Sequence, residues 1–392
     1  MADRSLLQAA RVLTPDEDIQ PGNVLIEDGV IVAVAAHVPA PPDAEVIDIS
    51  NLTLAPGFVD VHVHGGGGFS VATHDPAEIA SYARWAVSRG VTSFLATVCA
   101  SNLEEGLVFV RTGTQVSAGS SDGATLLGLN LEGPFVSQDC RGALPESWVM
   151  PPDPRSLDGL LQAANGQLRL ITLAPETPRA GQVLKAALAK GVTVALGHTN
   201  AGYEIARQAF EAGASHLTHA FNAMRGFHHR DPGPVGAAIS CRNVTVEVIA
   251  DGVHLHPATV EMLIRACGAD RIALITDAVP PAGLPTGAFR VGDQEAQLQG
   301  DRVLLPDGTI AGSAATMDQV VRNIVQWGVA PLASAARMAS TVPAGVAACA
   351  DRKGRLAPGY DADIVALDEQ LQVAMTWVRG RIVYSRADGP AS

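Results

Sequence analysis

The chain has 392 residues and a formal charge of −13, with apolar residues at 47% and aromatics at only 4%. That length suits one large domain plus a minor one, with a core packed mainly through small aliphatic side chains. The acidic balance excludes a nucleic-acid or anionic-membrane surface, which needs clustered Lys and Arg, but leaves room for an anionic small molecule held by a few local cations.

The opening MADRSLLQAA has no positively charged lead into an apolar run of signal-peptide length. No apolar stretch reaches the roughly 18 residues that a spanning helix needs. Cys99, Cys140, Cys241, Cys267 and Cys349 are scattered and form no CxxC pair, as expected of thiols in a reducing compartment. Together these features predict a cytoplasmic protein that spans no membrane.

In chain order, VLIEDGVIVAV gives two apolar runs around Asp28-Gly29, a tight-hairpin signal, and AEVIDIS alternates apolar with polar. From about residue 56, apolar β-type runs alternate with Ala-rich helical stretches. Strands are expected at 57–64, 91–98, 126–132, 168–174, 192–198, 215–219, 244–251 and 271–277. Stretches such as PAEIASYARWAVSRG and GYEIARQAFEAG fill the gaps, and several end in Gly, the usual helix stop. Eight such alternations predict an α/β fold, a (β/α)8 TIM-like barrel over 56–349. The C-terminal DADIVALD and TWVRGRIVY are strand-like again, so 1–55 and 350–392 are expected to meet as one small β-sandwich domain.

Of eleven histidines, seven lie at or just past a predicted strand end: His62, His64, His198, His216, His219, His254 and His256. Glu132, Asp251 and Asp277 sit at the same level. In a parallel barrel those ends converge on the face where the loops build an active site.

His62 and His64 are two apart on one strand, so both imidazoles face one side and can approach one ion. A polar pair closing a strand is the alternative, and the Gly65–Gly68 run, which lets backbone approach a ligand closely, favours a site. Glu132 ends the apolar run LLGLNLE, where an unpaired carboxylate would be costly to bury. His198 in ALGHTNAG and His219 in LTHAFNAM follow equally apolar runs. One glutamate and two histidines suit Zn²⁺, Fe²⁺, Mn²⁺ or Co²⁺ with positions left open. Asp277 in LITDAVPPAG reads either as a turn cap or as the base that takes a proton from water and passes it to a departing amine; its strand-end position favours the base. His254 is placed to donate to a carbonyl oxygen gaining negative charge. His256, before Pro257, reads as structural, and His216 as a bystander facing away from His219. Arg230 in HHRDPG offers a guanidinium suited to phosphate, although a solvated basic loop reads equally well.

The stretches APGFVDVHVHGGGG, LEGPFVS, LGHTNAGY, THAFNAMRGFHHRDPGPVG, IADGVHLHP, LITDAVPPAG and IAGSAATMDQ resemble the N-acetylglucosamine-6-phosphate deacetylase family of the amidohydrolase superfamily. GRLAPGYDADIVALD is similar to the closing β segment of that superfamily. The resemblance runs over nearly the whole chain. It implies hydrolysis of the N-acetyl group of a phosphorylated amino sugar, with Glu132, His198 and His219 as ligands of the principal divalent metal ion. It also implies Asp277 as the acid/base and His254 as the group orienting the acetyl carbonyl. Asn222, Ala223 and Arg230 would lie at the sugar and phosphate, with Ala311, Gly312 and Ser313 as further substrate contacts. Retention of His62 and His64 leaves room for a second ion, so one or two per subunit are expected. Relatives of this type are usually homodimers in which the Arg loop can reach the neighbouring subunit's site.

The chain departs from the family pattern at one position. Where the family reads Gly-Ala-His after EGPF, this chain has Gly142-Ala143-Leu144, and leucine cannot hydrogen-bond to a sugar. Arg141 is a neighbour that could compensate, and N-acetylgalactosamine 6-phosphate becomes an alternative substrate. Hydrolysis of another small amide is a second alternative, but such sites often use a lysine-derived carbamate from the fourth strand, and LRLITLAPET contains no lysine. A non-catalytic sugar-phosphate sensor is the third, although it would not need the ligands and base present here.

Overall fold

The eight apolar runs become eight parallel strands: β1 (Phe58–Val63), β2 (Val91–Val98), β3 (Thr125–Glu132), β4 (Leu168–Leu173), β5 (Thr193–Leu196), β6 (His216–Leu217), β7 (Thr245–Ile249) and β8 (Ile272–Ile275). Each is hydrogen-bonded to its neighbour in chain order, the topology of a TIM-like barrel. This computed structural model describes residues 3–116, 122–291 and 294–386. Helices cover the outside and side chains fill the middle, so β2 is buried along its whole length and reads as a continuous apolar run rather than an alternation. Several strands stop short of the lengths expected from sequence, and His198, His219, Asp251 and Asp277 lie just past them, on the loops of the C-terminal face.

The seam between β1 and β8 is closed by a side chain. Asp60 accepts from Thr276 Oγ1 at 2.6 Å and from the amide nitrogens of Thr276 and His62 at 3.4 and 3.3 Å. Full burial pushes this carboxyl up to about 7, against the hydrogen bonds that favour its charge. Just above, the amides of His64 and Gly65 both donate to the carbonyl of Ala278, at 2.7 and 2.9 Å. The first strand end and the eighth strand end are thereby tied together.

The helices follow their sequence signals. Asp75 caps Pro76–Ala86 by accepting from the amide of Ala77 at 2.9 Å, with proline at the first helical position. His256 does the same for Pro257–Cys267, its ring nitrogen accepting from Ala258. This is the structural role that its position before Pro257 suggested.

The terminal segments meet in one hydrogen-bonded sheet of eight strands, with Arg4–Leu13 parallel to Glu45–Pro56 and Ile364–Leu367 antiparallel to the latter. Its own apolar cluster includes Leu7, Val24, Ile26, Leu54, Ile364 and Trp377. A second addition has no counterpart among the strands expected from sequence: Gly287–Val291, Gln294–Gln299, Arg302–Leu304 and Ile310–Ser313 form a four-stranded antiparallel sheet. Ala296, Leu298, Val303 and Ala311 cluster with Val279 and Ala143, setting this sheet as a roof beside the barrel mouth. Among the described residues no helix is long and apolar enough to cross a membrane.

Candidate active site

Glu132 stands at the centre of the C-terminal face. Its Oε1 lies 2.9 Å from His198 Nε2 and 3.1 Å from His219 Nε2, and those two nitrogens are 3.0 Å apart. On the other side, His62 Nε2 is 3.5 Å from Oε1 and His64 Nε2 is 3.4 Å from Oε2. Asp277 Oδ1 completes the group at 3.2 Å from His64 and 3.6 Å from His62. Five strands, β1, β3, β5, β6 and β8, therefore bring their ends to one point. The backbone bends sharply to achieve this: His198, His219 and Asp277 all have positive φ, at 47°, 23° and 49°. Non-glycine residues adopt this region rarely, and strain of this kind collects at functional sites. Gly197 allows the approach of β5, since a Cβ there would lie 2.6 Å from Thr218 and 2.8 Å from Thr172.

Two triads could hold a divalent cation, His62–His64–Glu132 and Glu132–His198–His219, each with its ligand atoms within 4.8 Å of one another. The hydrogen bonds behind the ligands set their tautomers. His198 Nδ1 donates to the carbonyl of Cys140 at 2.9 Å, which leaves the Nε2 lone pair facing Glu132. His62 Nδ1 donates to Glu247 Oε2 at 2.9 Å, and its Nε2 is buried without a hydrogen-bond partner. A buried ring nitrogen without a hydrogen-bond partner and aimed at a carboxylate is placed as a metal ligand would be. Separations near 3 Å also match the edges of a coordination shell with bonds of about 2.1 Å.

The charges support the same reading. Every ion pair of Glu132, Glu247 and Asp277 among the described residues is with a histidine, and no lysine or arginine pairs with them. Burial would raise the pKa of Glu132, but the four surrounding imidazoles hold it well below the usual carboxylate range. Burial likewise opposes charge on His62 and His64. Nevertheless Glu247, Glu132 and Asp277 push His62 up, and Cys99, Asp277 and Glu132 push His64 up. A cluster of carboxylates and imidazoles in which no lysine or arginine of the described residues takes part suits a divalent ion.

Above the cluster opens a cavity of about 680 Å³ lined by His64, Glu132, His198, His219, His254 and Asp277, and farther out by Asn222, Ala223, Ala311 and Gly312. His254 is held by Asp251: Oδ2 accepts from its Nδ1 at 2.7 Å, and Oδ1 accepts from the amides of Val253 and His254, both at 2.8 Å. Asn222 spends its amide NH₂ on the carbonyls of His219 and Ala220, which leaves its side-chain oxygen as an acceptor.

Other residues singled out in the sequence lie away from the cavity of their own chain. Ser313 does not line the cavity; its hydroxyl donates to the carbonyl of Thr276 at 2.5 Å behind β8. Arg230 is exposed outside the cavity, with Nη1 2.9 Å from His229 Nε2. Of the glycine run, only Gly68 lines the cavity, while Gly66 and Gly67 give way to the ring of Trp85, which a Cβ would meet at 2.2 and 2.5 Å. Leu144 does line the cavity, and Arg141 turns back to donate to the carbonyl of Leu144 at 2.8 Å, outside that lining. Glu247 carried no strand-end signal in the sequence: it lies in the middle of VTVEVIAD, whereas Glu132 ends its apolar run. His216 is no bystander to the fold: it is fully buried with Nε2 2.9 Å from Glu247 Oε1.

The amidohydrolase family model matches residues 53–383. An N-acetylglucosamine-6-phosphate deacetylase from Bacillus subtilis (strain 168) is 34% identical over 388 residues, covering 98% of each chain. An N-acetylgalactosamine-6-phosphate deacetylase from Escherichia coli O157:H7 is 36% identical, covering 96% of this chain and 98% of its own. Among solved structures, a mutant N-acetyl-D-glucosamine-6-phosphate deacetylase from Mycobacterium smegmatis in complex with N-acetyl-D-glucosamine-6-phosphate superimposes with a TM-score of 0.91 at 35% identity, over 98% of this chain and 100% of that one.

Proposed function

The chain belongs to the amidohydrolase family, and from that premise we propose that it hydrolyses N-acetyl-D-glucosamine 6-phosphate to D-glucosamine 6-phosphate and acetate. The observation that carries the reading is Glu132, shared between two histidine pairs, with the carboxylate of Asp277 3.2 Å from His64, on the floor of a cavity of sugar-phosphate size.

Glu132, His198 and His219 would hold the principal divalent ion, and His62 and His64 with Glu132 a second. Such an ion polarises the acetyl carbonyl and makes water more acidic. Zinc, iron, manganese and cobalt all suit these donors. The rest follows from the chain's own groups. Asp277 accepts a proton from the water that attacks the acetyl carbon. His254, fixed by Asp251, donates to the carbonyl oxygen as charge develops there. When the C–N bond breaks, Asp277 returns the proton to the amine nitrogen, so sugar amine and acetate leave together. Asn222 and the backbone of Ala223, Ala311 and Gly312 line the walls that would orient the sugar. Arg230, on an exposed loop, is best used across the interface of a homodimer, where it would meet the phosphate in the neighbouring site.

Leu144 favours a second substrate, N-acetyl-D-galactosamine 6-phosphate, and the similarity to the Escherichia coli relative supports it. Acetate release from both 6-phosphorylated sugars and both unphosphorylated forms separates these readings. Turnover of the gluco phosphate supports the first, a preference for the galacto phosphate supports the second, and release from none of the four refutes both.

A further inference from the structure

We propose that Glu247 is a positioning residue for the metal corner built by His62 and His64, and that His216 serves the same corner by holding Glu247 in place. The inference rests on the metal reading above and concerns residues that do not line the cavity.

Glu247 lies within β7, fully buried beneath the cluster. Its Oε2 accepts both from His62 Nδ1 and from the amide of His219, each at 2.9 Å. Its Oε1 faces His216 Nε2, also at 2.9 Å, and His216 Nδ1 meets Thr245 Oγ1 at 2.5 Å. One carboxylate thereby touches a ligand's side chain from β1, another ligand's backbone after β6, and a histidine within β6. A carboxylate in a barrel interior is costly unless it is fully hydrogen-bonded, and an apolar residue would fill the space without that demand. Its contacts say what it does there. It fixes the proton of His62 on Nδ1, so the unpartnered Nε2 must face Glu132 and Asp277. The other histidine of this corner, His64, has no carboxylate behind it among the described residues; its Nδ1 meets the Sγ of Cys99 at 3.8 Å. The corner therefore depends on Glu247. Among the described residues the side chain of His216 meets Glu247 and Thr245, so it acts on the site through that carboxylate.

Glu247→Gln tests this with little disturbance. The amide oxygen still accepts from His62 and His219, and the NH₂ can face a His216 ring that moves its proton to Nδ1, toward Thr245. What disappears is the negative charge behind His62. The stripped protein is titrated with Zn²⁺ against a chromophoric chelator, in the wild-type background and in a His62→Asn background. In the wild-type background the weaker binding step should lose affinity about 10- to 100-fold. In the His62→Asn background Glu247→Gln should change nothing, because the residue through which it acts is already gone. No loss in the first background, or an equal loss in both, overturns the proposal. If Glu247→Gln does not fold, the same cycle with His216→Gln decides: a loss that vanishes without His62 supports it, and no loss, or one that persists, overturns it. A wild-type protein that binds no Zn²⁺ refutes the metal reading itself and the proposal with it.

Discussion

The amide of Asp277 donates to the carbonyl oxygen of His62 at 2.9 Å, so the acid that ends β8 is pinned to the strand that supplies a ligand. The contact holds the Asp277 carboxylate beside His64 in a backbone conformation, φ 49°, that few non-glycine residues adopt. Asp277→Asn keeps the shape and removes the proton acceptor. The expected outcome is a kcat lower by about 10²- to 10⁴-fold, read from acetate release on protein whose circular dichroism and metal content match the wild type. Near-normal turnover would take Asp277 out of the mechanism.

Removing metal should cost stability as well as activity. An ion that binds the folded cluster and not the unfolded chain stabilises by about 4 kcal/mol when present at a thousand times its Kd. Chelator treatment should therefore lower Tm by a few degrees, reversibly on adding Zn²⁺ back. Glu132→Gln should make Tm indifferent to the ion, because both triads share that carboxylate. His64→Asn, which touches one triad, should leave most of the response intact. A wild-type Tm that ignores both chelator and ion would count against the whole cluster.

Much of this site could be read before the fold was seen, and the reason is periodicity. A polar residue at the end of an apolar strand of a parallel barrel has its height fixed by the strand, so Glu132, at the end of β3, and His198, His219 and Asp277, just past theirs, gather on one face. What strand geometry does not fix is the partner. Glu247 sits inside its strand rather than at the end; the pairing of β6 with β7 sets His216 beside it, and closure of the barrel brings His62 to it across the interior. Ser313 has the right neighbours in sequence, but its hydroxyl is taken up by the carbonyl of Thr276 while Ala311 and Gly312 line the cavity. The roof sheet was illegible because its strands are short, one of them is half glutamine, and its apolar face packs in part on Ala143, which is distant in sequence.

Leu144 should set sugar preference. Restoring a hydrogen-bonding group with Leu144→His is expected to raise kcat/KM for the gluco phosphate relative to the galacto phosphate by about 5- to 10-fold, the worth of one net hydrogen bond. The ratio of the two kcat/KM values measures it. An unchanged ratio would show that Leu144 lines the cavity without meeting the epimeric hydroxyl.

Arg230 should act on the phosphate from the neighbouring subunit. Arg230→Met is expected to raise KM for the phosphorylated sugar about 10- to 100-fold, as for a lost charged hydrogen bond, with little change for the unphosphorylated one. Co-expression with Asp277→Asn gives a sharper readout. A mixed dimer has one site with an intact Asp277 facing an intact Arg230, so two crippled variants should together regain activity. Mixed dimers that form and stay as inactive as their parents would place Arg230 elsewhere.

The pH profile should report on His254. Burial disfavours its charge, but the hydrogen bond and charge of Asp251, with a smaller contribution from Asp277, raise its pKa above that of an ordinary imidazole. A histidine raised in the folded state gives stability that is fully present below its unfolded pKa of about 6.5 and lost as pH rises through the folded value. The same proton serves catalysis, so the alkaline limb of kcat/KM should lie above 6.5. Asp251→Asn can still accept from the amides of Val253 and His254 through its oxygen, but it turns an NH₂ toward the ring. Burial then governs His254, and the alkaline limb should move to lower pH by about one unit or more. A limb that stays in place in a folded Asp251→Asn protein would mean that another group, and not His254, donates the proton to the acetyl oxygen.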